Sequence, residues 1–184
     1  MAQWERDMHA RIAAAIKAAR GDRSAQWLAD RTSELGCPIT RAQIANYESG
    51  RKKGLDIAEL IVLAAALETS PVNLVYPGPY QDSVEVLPGR ESSEFIASQW
   101  FSGLLWHQDV VSESGDWGRA TEQLNTWRAY QELKFDRLKE LFGQRASEHK
   151  GGVRDRGRDR EVIEEYDKRI AHLERQLGIE DGDA

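Results

Sequence analysis

The first 75 residues are punctuated at short intervals by residues that start or stop helices, and this limits their fold more than any other feature of the chain. From residue 4 to residue 20, Met8, Ile12, Ile16 and Ala19 recur at helical spacing in an alanine-rich run that Gly21 stops. Ser24 can cap a second helix whose inner face is Leu28, Ala29 and Thr32 or Leu35, with Gly36 and Pro38 ending it. Thr40 followed by Gln43 is a capping-box pattern, in which the hydroxyl takes an amide ahead and the side-chain amide reaches back to the cap. The third helix it opens can close at Gly50. Asp56 and Glu59 repeat the pattern before a fourth helix over residues 57–67, and Ser70-Pro71 supplies a cap and an N1 proline for a short fifth. An all-α domain of five compact helices over residues 1–78 is expected.

Composition bounds the rest. With 184 residues, 40% of them hydrophobic, the chain can bury a real core, and two small domains fit its organisation. The longest apolar stretch, residues 57–67, is too short and too interrupted to cross a bilayer, and the start MAQWERDMHARI lacks the apolar region of a signal peptide, so a cytoplasmic protein without a membrane partner is expected. A single cysteine, Cys37, precludes an internal disulfide; without a CxxC pair or clustered histidines it offers no zinc site and reads as a small turn residue before Pro38. His9, His107, His149 and His172 have no mutual spacing that suggests a metal or a triad, and no glycine-rich loop follows a strand. Neither metal, cofactor nor catalysis is expected.

The net charge of −6 conceals blocks of opposite sign. Residues 1–80 balance at +1, residues 81–118 at −6, residues 119–160 at +4 and residues 161–184 at −5. An anionic partner feels the local potential within about a Debye length, roughly 8–10 Å in physiological salt, so distant acidic segments would not prevent it from meeting a basic surface.

The third helix concentrates such a surface. Ile44 and Tyr47 fall on one side and should pack inward, leaving Arg41, Gln43 and Asn46 outward near its N-terminal end. Arginine matches the two major-groove acceptors of guanine, and asparagine or glutamine matches the donor and acceptor of adenine. The following Arg51, Lys52 and Lys53 would lie over phosphates, raising affinity without reading sequence. With the second helix and the turn between, these residues read as a helix-turn-helix directed at double-stranded DNA.

The run "TRAQIANYESGRKKGLDIAELIVLAAALETSPVNLVYPG" resembles the Cro/repressor-type (xenobiotic-response-element) helix-turn-helix family, especially an actinobacterial form with a longer "RTSELGCPIT" connection. The match covers roughly residues 8–78, and IxxYExG followed by basic residues is its most specific part. The resemblance implies a lambda-repressor-like domain with base contacts at Arg41, Ala42, Gln43 and Asn46. It implies phosphate contacts at Thr40, Arg51 and Lys53, to which Lys52 and, at the start of the second helix, Ser24 and Gln26 are added. Two departures stand out: Ala25 occupies the place of the family's frequent glutamine, with Gln26 one position late, and the turn is longer than in short phage repressors.

Beyond this domain, residues 79–91 lie in a proline-rich stretch with no helical period and read as a linker or extended strap, with a helical C-terminal domain over residues 92–184. Ser92 can cap a helix in which Phe95, Ile96, Trp100, Leu104 and Leu105 are apolar enough to be largely buried. After a turn at residues 112–116, a long helix holds Leu124, Trp127, Leu138 and Leu141 on one stripe, and four of the six tryptophans between Trp100 and Trp127 suggest a small aromatic core. Thr121, Asn125 and Arg128 stand at i, i+4 and i+7, with Arg119 near the helix start, a candidate second DNA-contacting set that competes with a plain solvated flank. Residues 146–160 are Gly- and Arg-rich, either a linker or a basic arm. In the last segment Ile163, Tyr166, Ile170, Leu173 and Leu177 form a heptad seam under three heptads long, for which docking onto the second domain competes with homodimerisation.

A C-terminal half that reads as helical throughout leaves no place for the β-rich Ser-Lys peptidase of self-cleaving repressors. The layout resembles immunity repressors of temperate actinobacteriophages, such as those infecting mycobacteria. That resemblance implies repression of lytic transcription at asymmetric operator and stoperator sites. Since a twofold dimer matches a pseudo-palindrome, asymmetric sites imply a monomer reading with two unlike domains. The competing readings are an antitoxin or other regulator of the same helix-turn-helix type whose C-terminal unit binds a protein or dimerises, and an enzyme fused to a DNA-binding module.

Overall fold

The computed structural model describes residues 2–51, 54–108, 110, 114–149 and 156–179. Among the described residues there are eight α-helices and one two-stranded sheet, and the chain divides into two compact units, Met1–Ser112 and Glu113–Ala184. None of the helices is long and apolar enough to cross a membrane.

The first unit opens with α1 (Gln3–Arg20), α2 (Ala25–Glu34), α3 (Arg41–Glu48), α4 (Ile57–Ala66) and α5 (Pro71–Val75). Their ends follow the expected chemistry. Ser24 accepts from the amide of Trp27, and both Thr40/Gln43 and Asp56/Glu59 form complete capping boxes, so three successive helices each have an orphan first-turn donor satisfied by their own cap. At the far end of α3, the Gly50 amide donates to the Tyr47 carbonyl and the Arg51 amide to that of Asn46, both at 2.9 Å, a Schellman closure for which Gly50 adopts φ +68°. The helix α1 packs on α3 and α5, α2 on α3 and α4, and α4 on α5, around Ile16, Leu28, Ile44, Leu63 and Leu74. On α2 the inner residue is Thr32, whose hydroxyl accepts from the Ile39 amide at 3.0 Å; Leu35 lies beyond the last helical turn and is exposed.

Residues 79–91 are not a linker, and the fold is not purely α. Strands β1 (Ser83–Leu87) and β2 (Arg90–Ser93) form an antiparallel hairpin in the register Val84↔Ser92 and Glu85↔Glu91, with an irregularity between Glu85 and Leu87. Alternation places Val84 and Val86 in the same core as the five helices, so this segment closes the first unit. The Trp4 indole on α1 donates to the Glu85 carbonyl at 2.9 Å, fastening the hairpin to the start of the chain.

The hairpin runs directly into α6 (Glu94–Phe101), capped by Ser93, which accepts from the Ile96 amide, and not by Ser92, which pairs in the strand. Of the residues expected to be buried there, Trp100 packs against the core, whereas Phe95, Leu104 and Leu105 are exposed. Trp100 thus belongs to the first unit's core. The ring of Tyr76 meets Phe101 edge-on at 5.8 Å and has the Arg11 guanidinium 5.4 Å from its centre. Burial pushes its phenol pKa above the ordinary value; Arg11 opposes that rise and the Glu94 charge adds to it.

The second unit consists of α7 (Ser114–His149) and α8 (Arg156–Leu177) packed side by side. Helix α7 already includes residues 114–116 of the expected turn, and α7 and α8 extend into both ends of the 146–160 segment, whose residues 150–155 lie outside the described residues. The heptad seam docks: Ile170 is buried, and Ile163, Tyr166, Leu173 and Leu177 are half-buried. Tyr130 is the buried centre on α7, donating to Glu174 and accepting from Lys134, both at 3.2 Å, with Trp127 edge-on at 5.7 Å. Arg137 pairs with Asp167 at 2.5 Å. The expected stripe is displaced, because Leu124, Trp127 and Leu138 are exposed and sit round the helix from Tyr130.

Candidate nucleic-acid interface

Helix α3 presents two chemically distinct faces. Ile44 and Tyr47 are buried, while Arg41, Ala42 and Asn46 are exposed and Gln43 is half-buried. The inward residues hold the helix in place and leave its N-terminal half facing outward. Thr40 is an exposed N-cap: its hydroxyl accepts from the Gln43 amide at 3.2 Å and donates to Gln43 Oε1 at 2.7 Å, and its own amide donates to Gln43 Oε1 at 2.9 Å.

The only acidic side chain on α3 is Glu48, and it is held elsewhere. Both its oxygens accept from Arg20 of α1, Oε1 from Nε at 2.6 Å and Oε2 from Nη2 at 2.8 Å, with side-chain exposures of 11% for Glu48 and 14% for Arg20. The hydrogen bond that Arg20 donates to Glu48 raises the guanidinium pKa, against the opposing effect of burial. A bidentate pair of this kind fixes orientation as well as charge. On the other side the Tyr47 hydroxyl donates to Glu59, which also receives the Asp56 amide at 3.2 Å in the α4 capping box. The exposed Arg41 and Asn46 therefore have no acidic neighbour on their own helix, while Gln43, about 200° round the helix from Arg41, is half-buried and folded back on Thr40; the C-terminal end of α3 is tied to both α1 and α4.

The residues expected to meet phosphates divide by the hydrogen bonds they already make. Arg51, whose amide completes the Schellman closure, is exposed, whereas Lys52 and Lys53 lie outside the described residues. Ser24 caps α2 through the Trp27 amide at 3.0 Å, and Gln26 donates to Asp30 at 2.8 Å on the same helix. Arg23 is not a free cation. It donates to the carbonyls of Ala19 at 2.6 Å and Arg20 at 2.9 Å and lies 4.1 Å from the Trp27 ring centre. The structural roles of Arg20 and Arg23 escape a reading by charge alone; the one sequence signal for the first is the lone acid at the end of an otherwise non-acidic helix.

In the second unit the structure brings three of the four candidate residues together. Thr121 donates to the Trp117 carbonyl at 2.8 Å, Asn125 donates to Thr121 at 3.2 Å and Arg128 donates to Asn125 at 2.9 Å, a ladder along one flank of α7. Arg119 is two residues from Thr121 and so about 200° round the helix, where it pairs with Asp116 and lines a groove with Gln123, Thr126 and Gln176. The four do not share one face. Among the described residues no group of three or more His, Cys, Asp or Glu side chains could hold a metal ion.

No protein-family model, no curated protein and no solved structure matches the chain.

Proposed function

We propose that the chain is a sequence-specific, double-stranded DNA-binding transcriptional repressor, with α2 and α3 as a lambda-repressor-like helix-turn-helix and α3 entering the major groove. The observation that carries the reading is the outward face of α3, where exposed Arg41 and Asn46 stand on a helix whose one acid is neutralised by Arg20. Guanidinium and amide groups at a helix N-terminal half are the chemistry that reads base edges. The resemblance of residues 8–78 to the Cro/repressor type, and of the layout to temperate actinobacteriophage immunity repressors, supports asymmetric operator and stoperator sites as targets. In this reading a monomer contacts DNA with α3 and with the Thr121–Asn125–Arg128 ladder. Joining the two raises the effective concentration of the weaker site.

Selection of bound sites from random DNA with the full chain tests this. The expected result is one non-palindromic motif, and Arg41→Ala should lose about 1–3 kcal/mol and relax preference at a single base position. Absence of any enriched sequence, or an Arg41→Ala chain that binds the best site unchanged, would overturn the reading.

A second reading, a regulator of the same type whose C-terminal unit binds a protein or a second copy, is favoured by one observation. Leu124, Trp127, Phe135, Leu138 and Phe142 are exposed within an arc of about 80° on α7. Sedimentation with and without the selected DNA separates the two: a free dimer that selects palindromes supports the second.

A further inference from the structure

Glutamine in a recognition helix is ordinarily matched to adenine, because its side chain offers one acceptor and one donor to that base's N6 amino group and N7. In this protein the acceptor is already occupied. Gln43 Oε1 accepts from the Thr40 amide at 2.9 Å and from the Thr40 hydroxyl at 2.7 Å. A carbonyl oxygen has two lone pairs, so both are engaged. Nor can the amide be turned over, for a flip would set its NH2 against the Thr40 N–H, donor facing donor. What remains is Nε2 with two hydrogens, which has no hydrogen-bond partner among the described residues.

The geometry points to Gln43 as a donor-only reader that selects a G·C pair. Guanine shows two major-groove acceptors, O6 and N7, and both can receive the Nε2 hydrogens. An A·T pair separates its two acceptors, adenine N7 and thymine O4, by the N6 donor, so the same NH2 group can reach only one of them and meets a donor beside it, whereas guanine offers two adjacent acceptors. Reading adenine would require the capping box to open, which strips the N-terminus of α3 of its partner while the helix is in use. This inference rests on the DNA-binding reading above and adds to it the base class at one position.

Site selection from random DNA with the full-length wild type, Gln43→Ala and Gln43→Glu tests it. Glutamate at this position keeps the capping box but turns an acceptor outward, so a folded protein with an inverted group is retained; thermal melts check this. The expected result is one position that is G·C for the wild type and loses its preference in Gln43→Ala. In Gln43→Glu the protein should instead favour cytosine's amino group there, with the remaining positions unchanged. Replacing that guanine by 7-deazaguanine should weaken wild-type binding roughly tenfold and leave Gln43→Ala binding unaffected. An A·T pair at the position that Gln43→Ala relaxes, or no position affected by Gln43→Ala at all, would overturn the inference while leaving the repressor reading intact. If no variant, wild type included, enriches any sequence, the repressor reading itself fails and this inference with it.

Discussion

The two units use opposite solutions to burying an apolar face. Met1–Ser112 wraps six helices and a hairpin around one core, so that the side chains of Leu28, Ile44 and Leu63 are fully enclosed. Glu113–Ala184 lays a helix of 36 residues beside one of 22, and a pair of helices can cover only one stripe of each. Tyr130 and Ile170 are accordingly buried, whereas Phe135 and Phe142 remain 58% exposed. Helix number, more than apolar content, decides how much of a face leaves water.

Cutting the first unit where sequence alone would divide it should do the most damage. A fragment of residues 1–80 lacks Val84, Val86 and Ala97, and should be less stable than residues 1–112 by roughly 5 kcal/mol from lost apolar burial. Urea denaturation of both fragments measures the difference; equal midpoints would mean that the hairpin is an accessory and not part of the core. Single substitutions in the full chain come next. Leu63→Ala should cost about 2–5 kcal/mol, because it leaves a cavity, while Phe135→Ala on α7 should cost less than about 1 kcal/mol. A large loss for Phe135→Ala would show that its face is covered in solution.

The smallest expected effect is one of pH. The folded-state pKa of Tyr76 lies above 10.0, so its contribution to stability is present below pH 10 and is lost as pH rises from there through the folded value. Melting temperatures taken between about pH 9 and 11 should therefore fall more steeply for the wild type than for Tyr76→Phe. Parallel curves would mean that the phenol ionises as freely in the folded protein as in the unfolded chain.

The helices of the first unit were legible because their punctuation is local. A hydroxyl or carboxylate at Ser24, Thr40 or Asp56 acts on amides two or three residues away, and no distant partner is needed to predict it. The hairpin was obscured by its prolines and charges, although Val84 and Val86 alternate and Pro88-Gly89 marks the turn. On α7, apolar residues occur nearly all round the helix, so hydrophobicity cannot say which stripe meets α8; the position of the partner decides it, and it falls on Tyr130. Arg41 and Asn46 were readable as outward from helical spacing, since Ile44 and Tyr47 fix the inner side, whereas Gln43, expected outward, is half-buried against its own cap. That Glu48 would be claimed by Arg20, 28 residues earlier, is a long-range pairing invisible to spacing.

That pairing has a thermodynamic consequence. With its first turn fastened by Thr40 and its last by Arg20, α3 is held at both ends by contacts of the folded protein itself. In the proposed DNA complex, association would then demand little further loss of conformational freedom from its backbone, and the favourable energy of each new contact would be retained as affinity instead of being offset by ordering.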